Sequence, residues 1–335
     1  MIEPNKIYNE DCQEGIKRIP DASVDCILTD PPYLYLKNQK LERPFDEQSL
    51  FREFKRVLKP TGFVALFGRG TSFYRWNTIL SELGFLFKEE FIWDKGHCTS
   101  PLMSISRVHE TVSIHTKNKG VLNKVKVPYL DMKKYDIPGI ITDMKRVRVV
   151  LNNPKSLAAV LTFLEKNVRD TSDSWSANNL SISSSITKED RQVSAMRAVK
   201  NGMNEKTIIR EDREENEHFT KYGVNADKRK SGDRQCNAFQ SIEIGMNEKT
   251  IIKEIRDHYT AIHPTQKPVR LLERLLALTT QPGDTVLDPF AGSCSTAVAC
   301  TNISRRYIGF EIDKEYYQAG LERLNKVLPE PKLAM

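Results

Sequence analysis

The sequence predicts an α/β fold built on a doubly wound, mostly parallel sheet that is interrupted in the middle of the chain. Three observations carry that expectation. Short apolar runs alternate with amphipathic stretches over residues 1–117, and the same texture returns from about residue 259. Between them lies a long stretch, rich in Ser, Asn and Asp in places, where strongly apolar runs are rare. Alternation of this kind is what a sheet covered by helices needs. At 335 residues the chain is long enough for one such domain plus an insertion.

Taken in order, residues 6–9 and 24–28 read as strands. Leu50, Phe51, Phe54, Val57 and Leu58 recur at helical spacing over 49–58, and Pro60, Thr61 and Gly62 are expected to stop that helix. Residues 63–67 read as a strand, 72–83 as a helix, and 91–93 and 111–114 as strands. After the insert, 269–279 reads as a helix, 285–288 as a strand, 296–301 as a helix, 307–310 as a strand and 314–327 as a helix. Residues 1–117 and 259–326 are thus two parts of one domain, 118–258 an insert, and 327–335 a C-terminal tail.

Composition narrows the function classes. The six cysteines form no C-x-x-C pair and no Cys/His metal spacing, so no metal is expected and a reduced, cytoplasmic setting is. The start, MIEPNKIYNEDC, carries charges where a signal peptide needs an apolar core, and no later stretch has the apolar length of a membrane span. The formal net charge is +7, and residues 121–260 hold most of the basic excess, in runs such as Lys145-Arg146-Val147-Arg148 and Lys228-Arg229-Lys230. That suits a polyanionic partner, although such runs are commonly only solvated surface.

The stretch VDCILTDPPY, residues 24–33, places an acid, two prolines and a tyrosine directly after an apolar strand. In open parallel sheets ligands sit outside the carboxyl ends of the strands, where Asp30 falls. Pro31 and Pro32 fix two φ angles and stiffen the loop, and the missing N–H of proline leaves the Pro31 carbonyl free to accept a bond. A carboxylate and a carbonyl facing one way suit an amino group with two hydrogens, and Tyr33 offers a flat face to a base. A rigid turn with Tyr33 packed inward is the structural alternative. Residues 285–296, TVLDPFAGSCST, read as a strand, a small-residue turn and a helix start, which lets a cofactor approach backbone N–H groups. Glu311 ends the next strand, nineteen residues after Gly292, close to the spacing at which an acid meets a ribose diol. A dinucleotide site is the obvious competitor, yet no full G-x-G-x-x-G is present.

Together, DPPY at 30–33, HPTQKP at 263–268, DPFAGS at 288–293 and the strand ending at Glu311 resemble the amino-group DNA methyltransferases that use S-adenosylmethionine. The order, with DPPY ahead of the recognition region and the cofactor turn behind it, is similar to the permuted, β-type subgroup. The resemblance covers residues 1–117 and 259–326. It implies a Rossmann-like S-adenosylmethionine-dependent methyltransferase sheet, discontinuous in sequence, with an inserted, mostly helical target-recognition domain. It also implies a site-specific enzyme that methylates the exocyclic amine of a flipped-out adenine in double-stranded DNA, since Asp rather than Ser at the first motif position is associated with adenine. Asp30, Pro31, Pro32 and Tyr33 would be catalytic. Asp11, Asp30, Asp288, Phe290, Gly292, Cys294 and Glu311 would line the cofactor pocket, with Thr265 and Lys267 near the methionine carboxylate and His263 either a contact or structural. The family commonly has glycine where this chain has Cys294, whose side chain would narrow the turn and, at a helix N-terminus, favour a thiolate. A cytosine amine, an RNA base, or a catalytically silent DNA-binding protein are the alternatives. Homodimerisation and a companion restriction endonuclease are left open.

The insert holds a repeat: GMNEKTIIRE at 202–211 and GMNEKTIIKE at 245–254 differ only at Arg210 and Lys253. Ala198, Gly202 and Ile208, and Ser241, Gly245 and Ile251, fall at helix-turn-helix spacing. On that reading Asn204 and Asn247 cap recognition helices. Lys206, Thr207 and Arg210, or Lys249, Thr250 and Lys253, then face DNA. A duplicated structural turn with solvated charges is the alternative.

Overall fold

Strand β1 (Lys6–Tyr8) leads into the short helix α1 (Cys12–Gly15), whose N-cap Asp11 accepts from the Gln13 N–H at 2.8 Å. Strand β2 (Val24–Thr29) is buried along nearly its whole length, as a strand covered on both faces must be. Helix α2 (Glu47–Val57) is capped by Asp46 and turns Leu50, Phe51, Phe54 and Val57 into the core. It ends one residue before the expected point, because Leu58 is extended and already begins β3 (Leu58–Gly68). Pro60 and Gly62 therefore lie inside that strand. The register against β2 jumps from Val24↔Leu58 to Cys26↔Phe63, and this irregularity accommodates a proline that cannot donate to a ladder.

Helix α3 (Gly70–Glu82) and strands β4 (Leu86–Asp94) and β5 (His109–Thr116) follow. Then come β6 (Lys126–Val127), α4 (Tyr129–Lys133), α5 (Ile137–Val150), β7 (Met246–Asn247) and β8 (Ile251–Lys253). Helix α6 (Val269–Thr279), β9 (Thr285–Asp288), α7 (Ser295–Asn302), β10 (Arg306–Phe310) and α8 (Lys314–Asn325) complete the chain. The computed structural model describes residues 2–33, 43–96, 105, 107–150, 238, 241–255 and 261–327.

The described residues form two compact units, the first taking in residues up to 123 and from 249 onward, the second the rest. The first holds an eight-stranded sheet in the order β1-β10-β9-β2-β3-β5-β4-β8. Five neighbouring strands, β1 to β3 in that order, are parallel, and β5 runs antiparallel to both β3 and β4. Strands from both ends of the sequence sit side by side, so the sheet is discontinuous in sequence and continuous in space. The core packs α1, α2 and α3 against one face through Cys12, Phe51, Phe54, Trp76 and Leu80, with Ile27, Val64 and Phe310 from the sheet.

The second unit contains α4, α5 and the antiparallel pair β6–β7. Tyr129 of α4 donates its hydroxyl to Asp143 of α5 at 2.9 Å. Gly245 has φ +86°, and a Cβ there would come within 2.6 Å of the Val127 carbonyl oxygen, so that turn requires glycine.

The second repeat copy is not a helix-turn-helix. No helix follows Gly245: Met246 and Asn247 form β7, and Ile251–Lys253 form β8, which pairs with Ile92–Asp94 of β4. Asn247 is a strand residue instead of a cap, and Lys249, Thr250 and Lys253 lie on the loop into β8 and on β8 itself. β-branched Thr250, Ile251 and Ile252 prefer the pleated edge open beside β4, where Ile252 is fully buried. The sheet thereby reclaims residues that composition had left in the insert. The first copy, with Lys206, Thr207 and Arg210, lies outside the described residues. Among the described residues no helix is long and apolar enough to cross a membrane, and no group of three or more His, Cys, Asp or Glu side chains is placed to hold a metal ion.

Candidate active site

Strands β2 and β9 pair in parallel through Cys26↔Val286 and Ile27↔Leu287. The loop carrying Asp30 and the turn after Asp288 therefore leave the same edge of the sheet as neighbours, at the carboxyl ends where open α/β sheets hold ligands. The Asp30 carboxylate is gripped at both oxygens. The Tyr33 hydroxyl donates to Oδ1 at 2.5 Å, and the Lys267 ammonium, just ahead of α6, pairs with Oδ2. Ser72 of α3 donates to the Tyr33 carbonyl oxygen at 2.8 Å, which ties the loop to the core. The Tyr33 ring packs against Trp76, with centroids 6.0 Å apart.

Lys267, expected near the cofactor's methionine end, has its ammonium between two carboxylates of the protein. Besides Asp30 it pairs with Glu110 Oε2 at 3.1 Å, and Lys95 reaches Glu110 Oε1 at 3.1 Å. The Lys267 ammonium also lies 5.0 Å from the Phe67 ring centroid and 5.9 Å from that of Trp93. Glu110 and Lys95 escaped sequence reading, because neither lies in a motif and each matters only through a partner from another part of the chain. Burial raises the Asp30 carboxyl above its usual range, Lys267 opposes the rise and the Glu110 charge adds to it. For Glu110 burial also disfavours charge, but Lys267 and Lys95 outweigh it and hold the group down at about 2. Lys267 is disfavoured as a cation by burial and held protonated, above its ordinary value, by Asp30 and Glu110.

The second half of the site is the turn between β9 and α7. Asp288, buried at the end of β9, accepts from Thr296 Oγ1 at 2.6 Å and from the Phe290 N–H at 3.1 Å. Burial pushes its carboxyl up to about 7 despite those two donors. Glu311, just past β10, accepts from the Gly292 N–H at 2.8 Å and the Asp313 N–H at 2.7 Å. Each of its oxygens keeps a lone pair. Burial raises Glu311, and the two backbone donors oppose that. Gly292 has φ +49°, the left-handed region that favours glycine. Phe290 packs on Phe45 with centroids 5.2 Å apart.

Cys294 also sits in the left-handed region, at φ +57°, as the residue preceding α7. Its thiol is fully buried and lies toward Gly320 of α8, where an added Cβ would meet Sγ at 2.6 Å. Burial pushes the thiol up to about 12, with Asp288 and Glu311 adding to the rise, so the expected thiolate is not favoured. His263 Nδ1 accepts from the Thr265 N–H at 3.2 Å and lies 3.1 Å from Thr265 Oγ1, and its ring meets Tyr316 edge-on at 4.3 Å. Thr265 is thus spent on local turn geometry and exposed, while His263 buttresses the turn: an added Cβ at Gly292 would stand 3.5 Å from its ring. Asp11 is exposed and engaged as the α1 cap, one short turn beyond β1, whose Tyr8 carbonyl accepts from the Glu311 N–H at 3.0 Å.

A family model described as DNA methylase matches residues 24–322. The type II methyltransferase M.BglII of Bacillus subtilis is 25% identical over 96% of this chain and 69% of its own length. The DNA adenine methyltransferase YhdJ of Escherichia coli K12 is 51% identical over 63 residues, which are 19% of this chain and 21% of that protein. The solved M1.HpyAVI–SAM complex aligns with a TM-score of 0.47 at 21% identity, covering 96% of this chain and 99% of the other.

Proposed function

The chain belongs to the N6/N4 DNA methylase family, and from that premise we propose that it methylates the exocyclic amine of a flipped-out adenine in duplex DNA, with S-adenosylmethionine as donor. The observation that carries this reading is the Asp30 carboxylate, fixed at the end of β2 beside the β9 turn and keeping one lone pair on each oxygen. An amine nitrogen attacks poorly while its own pair is delocalised into the ring. Acceptors on its hydrogens favour the tetrahedral form whose lone pair is free, and a preorganised carboxylate does this without reorganisation at the moment of transfer. Asp30 takes the proton that the nitrogen sheds on gaining the methyl group. Its position above the ordinary aspartate range makes it the better acceptor for that proton.

The residues fit the donor. Glu311, anchored by two backbone N–H groups, presents a fixed carboxylate to a ribose diol, and the left-handed Gly292 lets the chain turn tightly beside it. Phe290 offers an aromatic wall, and Asp288 and Asp11 complete the polar lining. When bound, S-adenosylmethionine supplies an electrophilic methyl group. Tyr33, already tied to Asp30, would stack on the extruded base. Adenine over cytosine is supported by Asp30 at the head of the motif and by the 63-residue likeness to the DNA adenine methyltransferase YhdJ. On the DNA side, Lys249, Thr250 and Lys253, with Lys206, Thr207 and Arg210, are the proposed contacts.

The test is transfer of a labelled methyl group to defined duplex DNA and to RNA, followed by nucleoside analysis. N6-methyladenosine in the DNA digest is expected, as the deoxynucleoside. Label in cytosine, label in RNA alone, or no label in any nucleoside would contradict the reading.

A further inference from the structure

Four charges of alternating sign run from Lys95 through Glu110 and Lys267 to Asp30. Aromatic rings lie beside these charges: Lys95 is 5.8 Å from the Trp93 centroid, and Lys267 is 5.0 Å from that of Phe67 and 5.9 Å from that of Trp93. In such surroundings each pairing weighs more than it would in water. Lys267 donates a hydrogen bond to Asp30 Oδ2, while Glu110 Oε2, buried and without a hydrogen-bond partner, pulls on the same ammonium as an ion pair at 3.1 Å. Alone with Asp30, it would settle fully on that carboxylate and compete with an incoming amine.

We propose that Glu110 and Lys95 are positioning residues for methyl transfer: Glu110 draws the Lys267 ammonium off Asp30 so that the catalytic carboxylate stays open to the substrate amine, and Lys95 balances Glu110. The proposal rests on the reading of Asp30 as amine acceptor. Neither residue touches the reacting atoms; both act through Lys267. The other ionisable groups around Asp30 are Tyr33 on its own loop and Asp288 at the end of β9, while Arg69 and His109 stand beyond Lys95. Glu110 raises the Asp30 carboxyl, so removing its charge lowers it; removing the Lys95 charge leaves the cluster more negative and raises it.

The experiment measures single-turnover methyl transfer against pH for the full chain with Glu110→Gln, Glu110→Asp, Lys95→Met and Asp30→Asn, alongside cofactor affinity by calorimetry. Glu110→Gln is expected to slow transfer about tenfold or more at unchanged cofactor affinity and to move the acidic limb of the rate profile to lower pH. Glu110→Asp should recover part of the rate, and Lys95→Met should move the limb the opposite way. Limbs that stay put, or move together, overturn the proposal, since a merely structural role would not split them by sign. Should Glu110→Gln melt before assay, the direction of the Lys95→Met limb decides alone. An Asp30→Asn protein that still transfers methyl groups would defeat the amine-acceptor reading itself. An inactive Asp30→Asn beside unaltered Glu110 and Lys95 variants would defeat only the positioning proposal.

Discussion

Asp288 shows at the scale of one residue how the site is held at a thermodynamic cost. Its carboxyl titrates near 7 in the folded chain against 3.8 for an ordinary aspartate, because burial outweighs the bonds from Thr296 and Phe290. Between those values the folded state binds the proton and the unfolded state does not. Stability therefore falls as pH rises through that window and levels off above it, an effect on the order of a few kcal/mol. Asp288→Asn keeps an acceptor for either donor and removes the titration. Urea unfolding from about pH 5 to about pH 8 should show a steeper decline for the parent than for this variant, and parallel slopes would place the titration elsewhere. Asp30, Gly292 and Glu311 stand out in the sequence because each belongs to a short motif at a strand end, and the fold places all three at the same end of the sheet. Glu110 and Lys95 do not, since a lone acid at the start of a strand and a lysine after another carry no local signature. Their meaning comes from Lys267, which the fold brings to both.

At the scale of elements, hydrophobic periodicity located α6 and β9 to the residue and most other boundaries of the sheet within a few residues. It erred where tertiary pairing overrode a local signal. Pro60 and Gly62 read as helix stops, yet Leu58 already pairs with Val24 and draws the segment into β3. Likewise Met246–Lys253 carries helix-turn-helix spacing, but the free side of β4 claims Ile251–Lys253 as a strand. The contact of α8 with the β9–α7 turn is equally invisible in sequence and is testable. A Cβ at Gly320 would stand 2.6 Å from Cys294 Sγ and 3.1 Å from the Gly292 carbonyl oxygen. Gly320→Ala should therefore destabilise the protein by about 1–3 kcal/mol from overpacking, less about 1 kcal/mol regained in helix propensity. Cys294→Gly removes the obstructing sulfur at a left-handed position that suits glycine. The double variant should recover stability, with a coupling of about 1 kcal/mol or more by denaturant midpoints. Additive losses would mean that the two residues do not meet.

At the scale of the whole molecule, a sheet assembled from both ends of the chain brings the DPPY loop and the β9–α7 turn onto neighbouring parallel strands, which is the arrangement the proposed methyl transfer between two bound molecules needs. The modest basic excess places no single residue on DNA, and that is why the recognition surface stayed hardest to read. If Lys249 and Lys253 meet phosphates, replacing both by alanine should weaken binding evenly across sequences and lower the salt slope by up to about 2, with cofactor affinity unchanged. An unaltered slope in a folded variant would remove the second repeat copy from the interface. The central claim is that the Asp30 carboxylate, held between Tyr33 and Lys267, accepts the substrate amine. Its most direct test is single-turnover methyl transfer to duplex DNA by Asp30→Asn at saturating cofactor, with cofactor binding measured on the same sample. Transfer reduced by about a hundredfold or more with cofactor affinity within about twofold of the parent is the predicted result; transfer near the parental rate, or a loss explained wholly by failed cofactor binding, would contradict it.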